Sequence, residues 1–360
     1  MTAAPALTWG LVIATYQREE VLLRTLDLAC RQTRPPLEVV IVDASSNWES
    51  TREKVLGGIA RQHQGIAWTY VAAEHRSSTL QRNQGILLAT ADILFLFDDD
   101  SLMYPDCAER IMSVYEADAE GTIIGVESNA VGEVPTAVTS IGDSRQRGGI
   151  SETVLSDSGR NILWKHGFLQ RMLILDTKEH FIPYDGSFKT YELSEAVKSC
   201  NVASVRVFDG FRMTYRRRLF ERETFEPLFR YYAVAEDADL SYRASRYGAL
   251  VVALDARLHH FQSGSGRLAT WKVSALTGLN MALVLKKNSN DLGRDKRRFY
   301  RFIFHLMLIQ FLKDGANRRW AFPKARGLVF ALRHAPKLFA MKEAELAEWY
   351  PAFQSQLIQS

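Results

Sequence analysis

The stretch Asp92-Ile93-Leu94-Phe95-Leu96-Phe97 constrains the architecture more than any other part of the chain. It is a short apolar block, β-branched or aromatic at several places, without the alternation that a solvent-facing side would impose. Such a block suits a strand covered on both faces, in the middle of a sheet. It leads directly into Asp98-Asp99-Asp100. Three like charges at the mouth of a buried strand repel one another and resist desolvation, so something must compensate them. Asp98 and Asp100, one residue apart on an irregular strand exit, can both reach one Mg²⁺ or Mn²⁺, ions that take hard oxygen ligands. A solvated acidic turn is the plain alternative, and the neighbouring segments decide between the two.

Those neighbours repeat a strand-then-helix pattern. Residues 8–14 read as a strand and 18–32 as a helix; Pro35-Pro36 breaks the chain, and 37–43 read as the second strand. Ser45-Ser46-Asn47 can cap a helix running to about residue 63. Residues 66–71 form a third strand and 77–89 a third helix, and a helix opening near Pro105 precedes a strand at 122–126. This alternation implies an α/β fold with a doubly wound, mostly parallel, Rossmann-like sheet that gathers ligands at the carboxyl ends of its strands. Those ends carry Ala14-Thr15-Tyr16, Asp43-Ala44-Ser45-Ser46 and Asp98-Asp99-Asp100. Small hydroxyls, an acidic acceptor for a base N–H and a metal site in one crevice fit a nucleotide-diphosphate sugar. Neither a GxGxxG nor a GxxxxGK[ST] loop occurs, which argues against dinucleotide and P-loop chemistry.

At 360 residues, 47% hydrophobic and 24% charged, the chain has material for a large core and a smaller appended unit. Its three cysteines, Cys30, Cys107 and Cys200, form no CxxC pair and are expected as reduced thiols. No signal sequence and no stretch of about 20 apolar residues stands out, so the expected location is the cytoplasm, peripheral on the inner face of the cell membrane. Charge is unevenly spread. Residues 286–342 hold 15 Lys and Arg against 3 Asp, a net of +12 in a chain of +4, which leaves −8 for the remainder. The same stretch carries Phe299, Phe302, Ile303, Phe304, Leu306, Leu308, Phe311 and Leu312. A basic, helical, partly apolar tail fits an anionic membrane surface better than nucleic acid. The plain alternative packs these apolar side chains on the body or in a contact between copies, so a homo-oligomer stays open.

The segments Ala14-Thr15-Tyr16-Gln17-Arg18-Glu19, Val40-Ile41-Val42-Asp43, Arg82-Asn83-Gln84-Gly85 and Asp98-Asp99-Asp100 resemble, in order and spacing, the family-2 glycosyltransferases of the GT-A fold. Downstream, Gly210-Phe211-Arg212-Met213-Thr214-Tyr215-Arg216-Arg217 looks like that family's acceptor-side segment. Glu236-Asp237-Ala238-Asp239-Leu240-Ser241-Tyr242-Arg243 matches its second acidic motif. The likeness covers roughly residues 8–128 and 205–290. It implies an inverting, metal-assisted glycosyltransferase that moves a sugar from a nucleotide-diphosphate sugar to a hydroxyl of a glycan or lipid-linked acceptor, in cell-surface polysaccharide or glycolipid assembly. By resemblance, Thr15, Tyr16 and Asp43 line the nucleoside pocket, with Arg18, Arg82 and Asp99 as further donor contacts. Asp98 and Asp100 hold Mn²⁺ or Mg²⁺, with His260 as a third ligand, and Asp237, beside Glu236, is the base. The implied organisation is a nucleotide-sugar-binding half at 1–128, an acceptor-binding half at 129–270 and a basic amphipathic helical extension at 271–360. Two positions depart from the family: it often has Asn where Gln17 stands and an acidic residue where Ala44 stands.

The second acidic motif also has a physical reading of its own. Carboxylates in a helix's first turn are favoured by its dipole, so Asp237 and Asp239 can be simple caps. The functional alternative is general-base work, since a sugar hydroxyl is too weakly acidic to attack unaided. His259-His260 follow a strand expected at 250–254 and can equally be turn residues. Arg82 can be an exposed residue of an amphipathic helix. The loop Ser263-Gly264-Ser265-Gly266-Arg267 could close over a diphosphate, with Arg267 on a phosphate oxygen. Residues 129–204 read as an acceptor-side insertion. Two rival functions use the same features: a nucleotidyltransferase on a similar sheet, and a catalytically silent sugar-binding or scaffold protein.

Overall fold

The computed structural model describes residues 6–135, 189–231, 233–262 and 268–359. The loop 263–267 and the stretch with Gly142, Trp164 and Lys178-Glu179-His180 lie outside the described residues. Within those described, one unit comprises 6–135, 189–225 and 240–262, and a second comprises 226–231, 233–239 and 268–359.

Among the described residues, the first unit is built on a nine-stranded sheet, in which the short strand β7 (Val202–Ser204) lies off the main path. Four strands, β1 (Trp9–Thr15), β2 (Glu38–Asp43), β3 (Ala67–Ala72) and β4 (Ile93–Phe97), lie parallel in the order β3-β2-β1-β4. The helices α1 (Glu19–Cys30), α2 (Trp48–Lys54) and α3 (Ser78–Leu88) follow the first three strands, and α2 runs on through a π turn at Val55–Ile59. All residues of β2 and β4 are buried, as continuous apolar strands covered on both faces must be. The α/β alternation expected over the first hundred residues is therefore present, with ends shifted by one or two positions.

Beyond β4 the sheet is mixed. The strand β8 (Arg212–Arg216) pairs antiparallel with β4 and with β6 (Ile123–Ala130), and β6 runs parallel to β9 (Ala249–His260). The segment at 210–217 thus supplies a central strand, which its charged ends had masked. Arg212 pairs with Asp209 at 2.6 Å and Glu127 at 3.3 Å, and Arg216 pairs with Asp118 at 3.1 Å, so these guanidinium groups enter the sheet already compensated. A short strand, β5 (Ser101–Met103), returns antiparallel onto β9 and sets Ser101 opposite His260. His259 and His260 are therefore strand residues, not turn residues: β9 continues past 254 because Ala256 and Leu258 keep turning inward.

Among the described residues, the second unit holds the first turn of α6 (Glu236–Ala244) and four long helices, which we number after α4 (Cys107–Ala117), α5 (Glu195–Lys198) and α6 as α7 (Thr270–Asn288), α8 (Leu292–Ala316), α9 (Pro323–Ala340) and α10 (Glu343–Gln359). The helices α7 and α9 approach closely. A methyl group at Gly278 would come within 2.5 Å of the Ala331 Cβ, so only glycine fits there. On α8, Phe299, Phe302, Ile303 and Leu306 enter the core shared with Leu279, Leu283, Leu328 and Tyr350. The apolar tail residues thus divide into two sets, because Phe304, Leu308, Phe311 and Leu312 face outward and are 44–70% exposed. Among the described residues, no helix is long and apolar enough to cross a membrane.

Candidate active site

The strand β4 delivers its three carboxylates into a tight turn, closed by the Ser101 N–H donating to the Asp98 carbonyl at 3.1 Å. The turn sends alternate side chains in different directions. Asp99 points inward: it accepts from the Thr15 hydroxyl at 2.7 Å and from Arg18 at 2.9 Å, and its carbonyl accepts from the Thr25 hydroxyl at 2.8 Å. Burial, with Asp100 alongside, pushes the Asp99 carboxyl up to about 7, even though Arg18 and Thr15 pull the other way. Asp98 and Asp100 gather with His260, so that one ligand atom from each lies within 4.8 Å of the others. The His260 Nε2 stands 3.2 Å from Asp100, and its ring stacks on Phe211 with centroids 4.1 Å apart. Two carboxylates and one imidazole are a donor set suited to Mn²⁺ or Mg²⁺ with positions left for ligand oxygens.

Charge near this cluster is balanced by two arginines. Arg82 is buried, not exposed on a helix surface. It bonds Asp98 at 2.6 Å and the Gly210 carbonyl at 2.8 Å. Arg18 reaches Asp99, and Asp100 at 3.4 Å. Its approach depends on Gln17, which is in the left-handed region at φ 52° and bonds Ser45 through its backbone N–H at 2.7 Å. Residues of this type rarely adopt that conformation, whereas Asn does so more readily.

Beside the carboxylates opens a crevice lined by Thr15, Gln17, Arg18, Asp43, Ser45 and Asn47. Its floor is held by Gln81, whose side-chain amide donates to the carbonyls of Thr15 and Val42, both at 2.9 Å. Asp43 is buried, and both its oxygens are engaged: Oδ1 accepts from the Ser45 N–H at 2.7 Å and Oδ2 from the Tyr70 hydroxyl at 2.6 Å. A carboxylate has about four lone-pair sites, so acceptor capacity is left. Tyr16 lies under Arg76, 3.7 Å from guanidinium carbon to ring centre.

The first unit therefore brings together Thr15, Arg18, Arg82, Asp98, Asp99, Asp100 and His260, with Asp43 and Tyr16 at the crevice. Glu236 and Asp237 lie in the first turn of α6, on the segment assigned to the second unit. There the Asp237 Oδ1 accepts from the Ala238 N–H at 2.8 Å, and Asp239, the more buried of the acidic residues, accepts from Asn288 at 2.9 Å. Sequence reasoning did not single out Gln81, Tyr70 or Thr25, and it named Phe211 only within the segment 210–217. Each acts through a partner distant in sequence; Gln81 stands next to Arg82-Asn83-Gln84, a segment already noted.

Residues 11–176 match the model of the family described as Glycosyl transferase family 2. A glucosyl-dolichyl phosphate glucuronosyltransferase of Haloferax volcanii is 29% identical over 119 residues, 32% of this chain and 36% of that protein, so the match spans about a third of that relative's length. Among solved structures, GalNAc-T7 with UDP, GalNAc and Mn²⁺ aligns with a TM-score of 0.51 at 16% identity, covering 78% of this chain and 48% of that one. That likeness bears on the fold. A mannosyltransferase from Pyrobaculum calidifontis in complex with GDP-Man and Mn²⁺ aligns at 18% identity and a TM-score of 0.49, covering 98% of this chain and 84% of that one.

Proposed function

We propose that this chain, which over residues 11–176 matches the model of glycosyl transferase family 2, is an inverting glycosyltransferase that uses a nucleotide-diphosphate sugar. The observation that carries this reading is the Asp98, Asp100 and His260 cluster at the carboxyl end of a central strand, next to a crevice with hydroxyl and carboxylate acceptors. Thr15, Tyr16 and Asp43 would hold the nucleoside, and Asp98, Asp100 and His260 a divalent cation. When bound, the cation supplies positive charge to the diphosphate as it departs. Asp99, fixed between Thr15 and Arg18, would stiffen the turn that spaces its two neighbours. Asp237 would take the proton from the acceptor hydroxyl while that oxygen bonds to the anomeric carbon. The bond from that carbon to the diphosphate oxygen breaks in the same displacement, which inverts the configuration.

The acceptor is a glycan or a lipid-linked sugar, in cell-surface polysaccharide or glycolipid assembly, with the protein resting on the inner face of the membrane. The outward row of Phe304, Leu308, Phe311 and Leu312 on α8, with exposed Arg297, Arg301 and Lys313 on the same helix, supports the membrane part of this reading.

The test is a screen of UDP-, GDP- and dTDP-sugars with the purified 360-residue chain and Mn²⁺, scoring release of the nucleoside diphosphate. One donor class should turn over, EDTA should abolish the reaction, and Asp100→Asn should do the same while unfolding at the wild-type denaturant midpoint. No turnover of any donor, with nucleotide sugars still binding, would favour the silent binding protein. Full activity of Asp100→Asn in EDTA would remove the metal assignment.

A further inference from the structure

Just before the second acidic motif the backbone adopts an unfavourable path. Tyr231, Ala233 and Ala235 lie in the left-handed region at φ 59°, 39° and 74°, and none of them is glycine. Each is held there against its own preference, so surrounding structure must impose the conformation. The restraints come from helices of the same unit, distant in sequence. Asn280 of α7 donates its side-chain amide to the Val234 carbonyl at 2.7 Å, between two of the strained residues, and accepts from the Tyr350 hydroxyl of α10. Gln354 of α10 donates to the Leu228 carbonyl at 2.8 Å and accepts from the Arg230 N–H at 3.1 Å. Lys287 pairs with Glu226, and Asn288 with Asp239.

Asn280, Tyr350 and Gln354 are completely buried. A helical core that needed only to fold would gain more from leucine at such positions, because buried amides and hydroxyls must first lose their water. Here every one of these groups ends on the backbone of Leu228, Arg230 or Val234, or on a residue that does.

We infer that α7 and α10 are positioning elements for the first turn of α6, which carries Asp237. Asn280, Tyr350 and Gln354 hold the backbone of Leu228, Arg230 and Val234, and with it the strained Tyr231, Ala233 and Ala235, in the conformation that fixes the start of α6 and so aims Asp237. The inference rests on the reading of Asp237 as the base. Asn280 is thus a positioning residue that acts through Asp237.

The experiment is a double-mutant cycle on the 360-residue chain, using the nucleotide sugar that the donor screen identifies, with water as acceptor. Asn280→Leu should lower kcat by about 10- to 100-fold, the scale of a displaced catalytic group, with the KM for donor nearly unchanged. In the Asp237→Asn background the same change should cost little more, because a residue that acts through Asp237 has nothing left to position. Amide hydrogen exchange across residues 228–238 should rise at least about tenfold, while exchange in the sheet strands stays put. Should Asn280→Leu fail to fold, Tyr350→Phe removes only the hydroxyl that orients Asn280 and should show the same pattern in weaker form. Full kcat in Asp237→Asn overturns the base assignment and this inference together. A low kcat there, with undiminished kcat in a folded Asn280→Leu or Tyr350→Phe, overturns this inference alone. So does an equal loss in both backgrounds.

Discussion

Gln17 shows how one residue carries a departure from the family into the backbone. The turn after β1 needs a left-handed residue to bring Arg18 round to Asp99 and Asp100, and the chain places an exposed Gln there. For an L-residue this conformation costs about 1–2 kcal/mol, and less for Asn, whose short polar side chain can bond locally. Gln17→Asn should therefore raise stability by up to about 1 kcal/mol and leave the arginine contacts intact. Gln17→Val, β-branched at the same φ, should lower it by about 1–2 kcal/mol. Urea midpoints at constant slope measure both. An unchanged midpoint in both variants would mean that the turn adapts without strain. The residue type at position 17 was visible in the sequence as a departure. Its physical meaning was not, because φ cannot be read from composition.

At the scale of elements, legibility followed the reach of the interactions. The strands at 9–15, 38–43, 67–72 and 93–97 were readable because unbroken apolar runs between helical segments have few alternatives. The strand at 212–216 was not, since its arginines are compensated by Asp209, Glu127 and Asp118, carboxylates whose proximity no local pattern announces. The spacing of Asp98 and Asp100 allowed both to reach one cation but left a solvated acidic turn open. His260 joins them only because β5 pairs with β9 and sets Ser101 opposite it. The helix α8 gives the sharpest test, since its apolar residues looked uniform in sequence and sort into two faces in space. Ile303→Ala and Leu306→Ala, in the core, should each cost about 2–5 kcal/mol of stability. Leu308→Ser and Leu312→Ser, on the outward face, should stay within about 0.5 kcal/mol of the parent. Chemical unfolding of the four variants checks the division, and comparable losses on both faces would contradict it.

For the molecule as a whole, the segregation of charge is the property with a consequence of its own. A net of +12 lies within residues 286–342 of a chain of +4. Exposed Arg297, Arg301, Lys313, Arg318 and Arg319 accompany the outward apolar row, and exposed Trp320 follows it. Two copies meeting through this face would set like charges against one another, whereas an anionic lipid surface attracts each basic group with about 1 kcal/mol when close. On such a surface the apolar row would add insertion at the headgroup boundary, which salt does not screen. Truncating the chain after residue 290 cannot test this, because Phe299, Phe302 and Ile303 belong to the core of the second unit. The 360-residue chain should instead float with vesicles rich in phosphatidylglycerol and not with pure phosphatidylcholine. Binding should weaken from 0.01 to 1 M salt, as the Debye length shrinks from about 30 Å to about 3 Å. Phe304→Ser with Leu308→Ser and Leu312→Ser should reduce flotation at every salt concentration without lowering the unfolding midpoint. Arg297→Gln with Arg301→Gln should reduce it mainly at low salt. Equal flotation with both lipids, or none with either alongside concentration-dependent dimerisation in ultracentrifugation, would show that the face serves another contact.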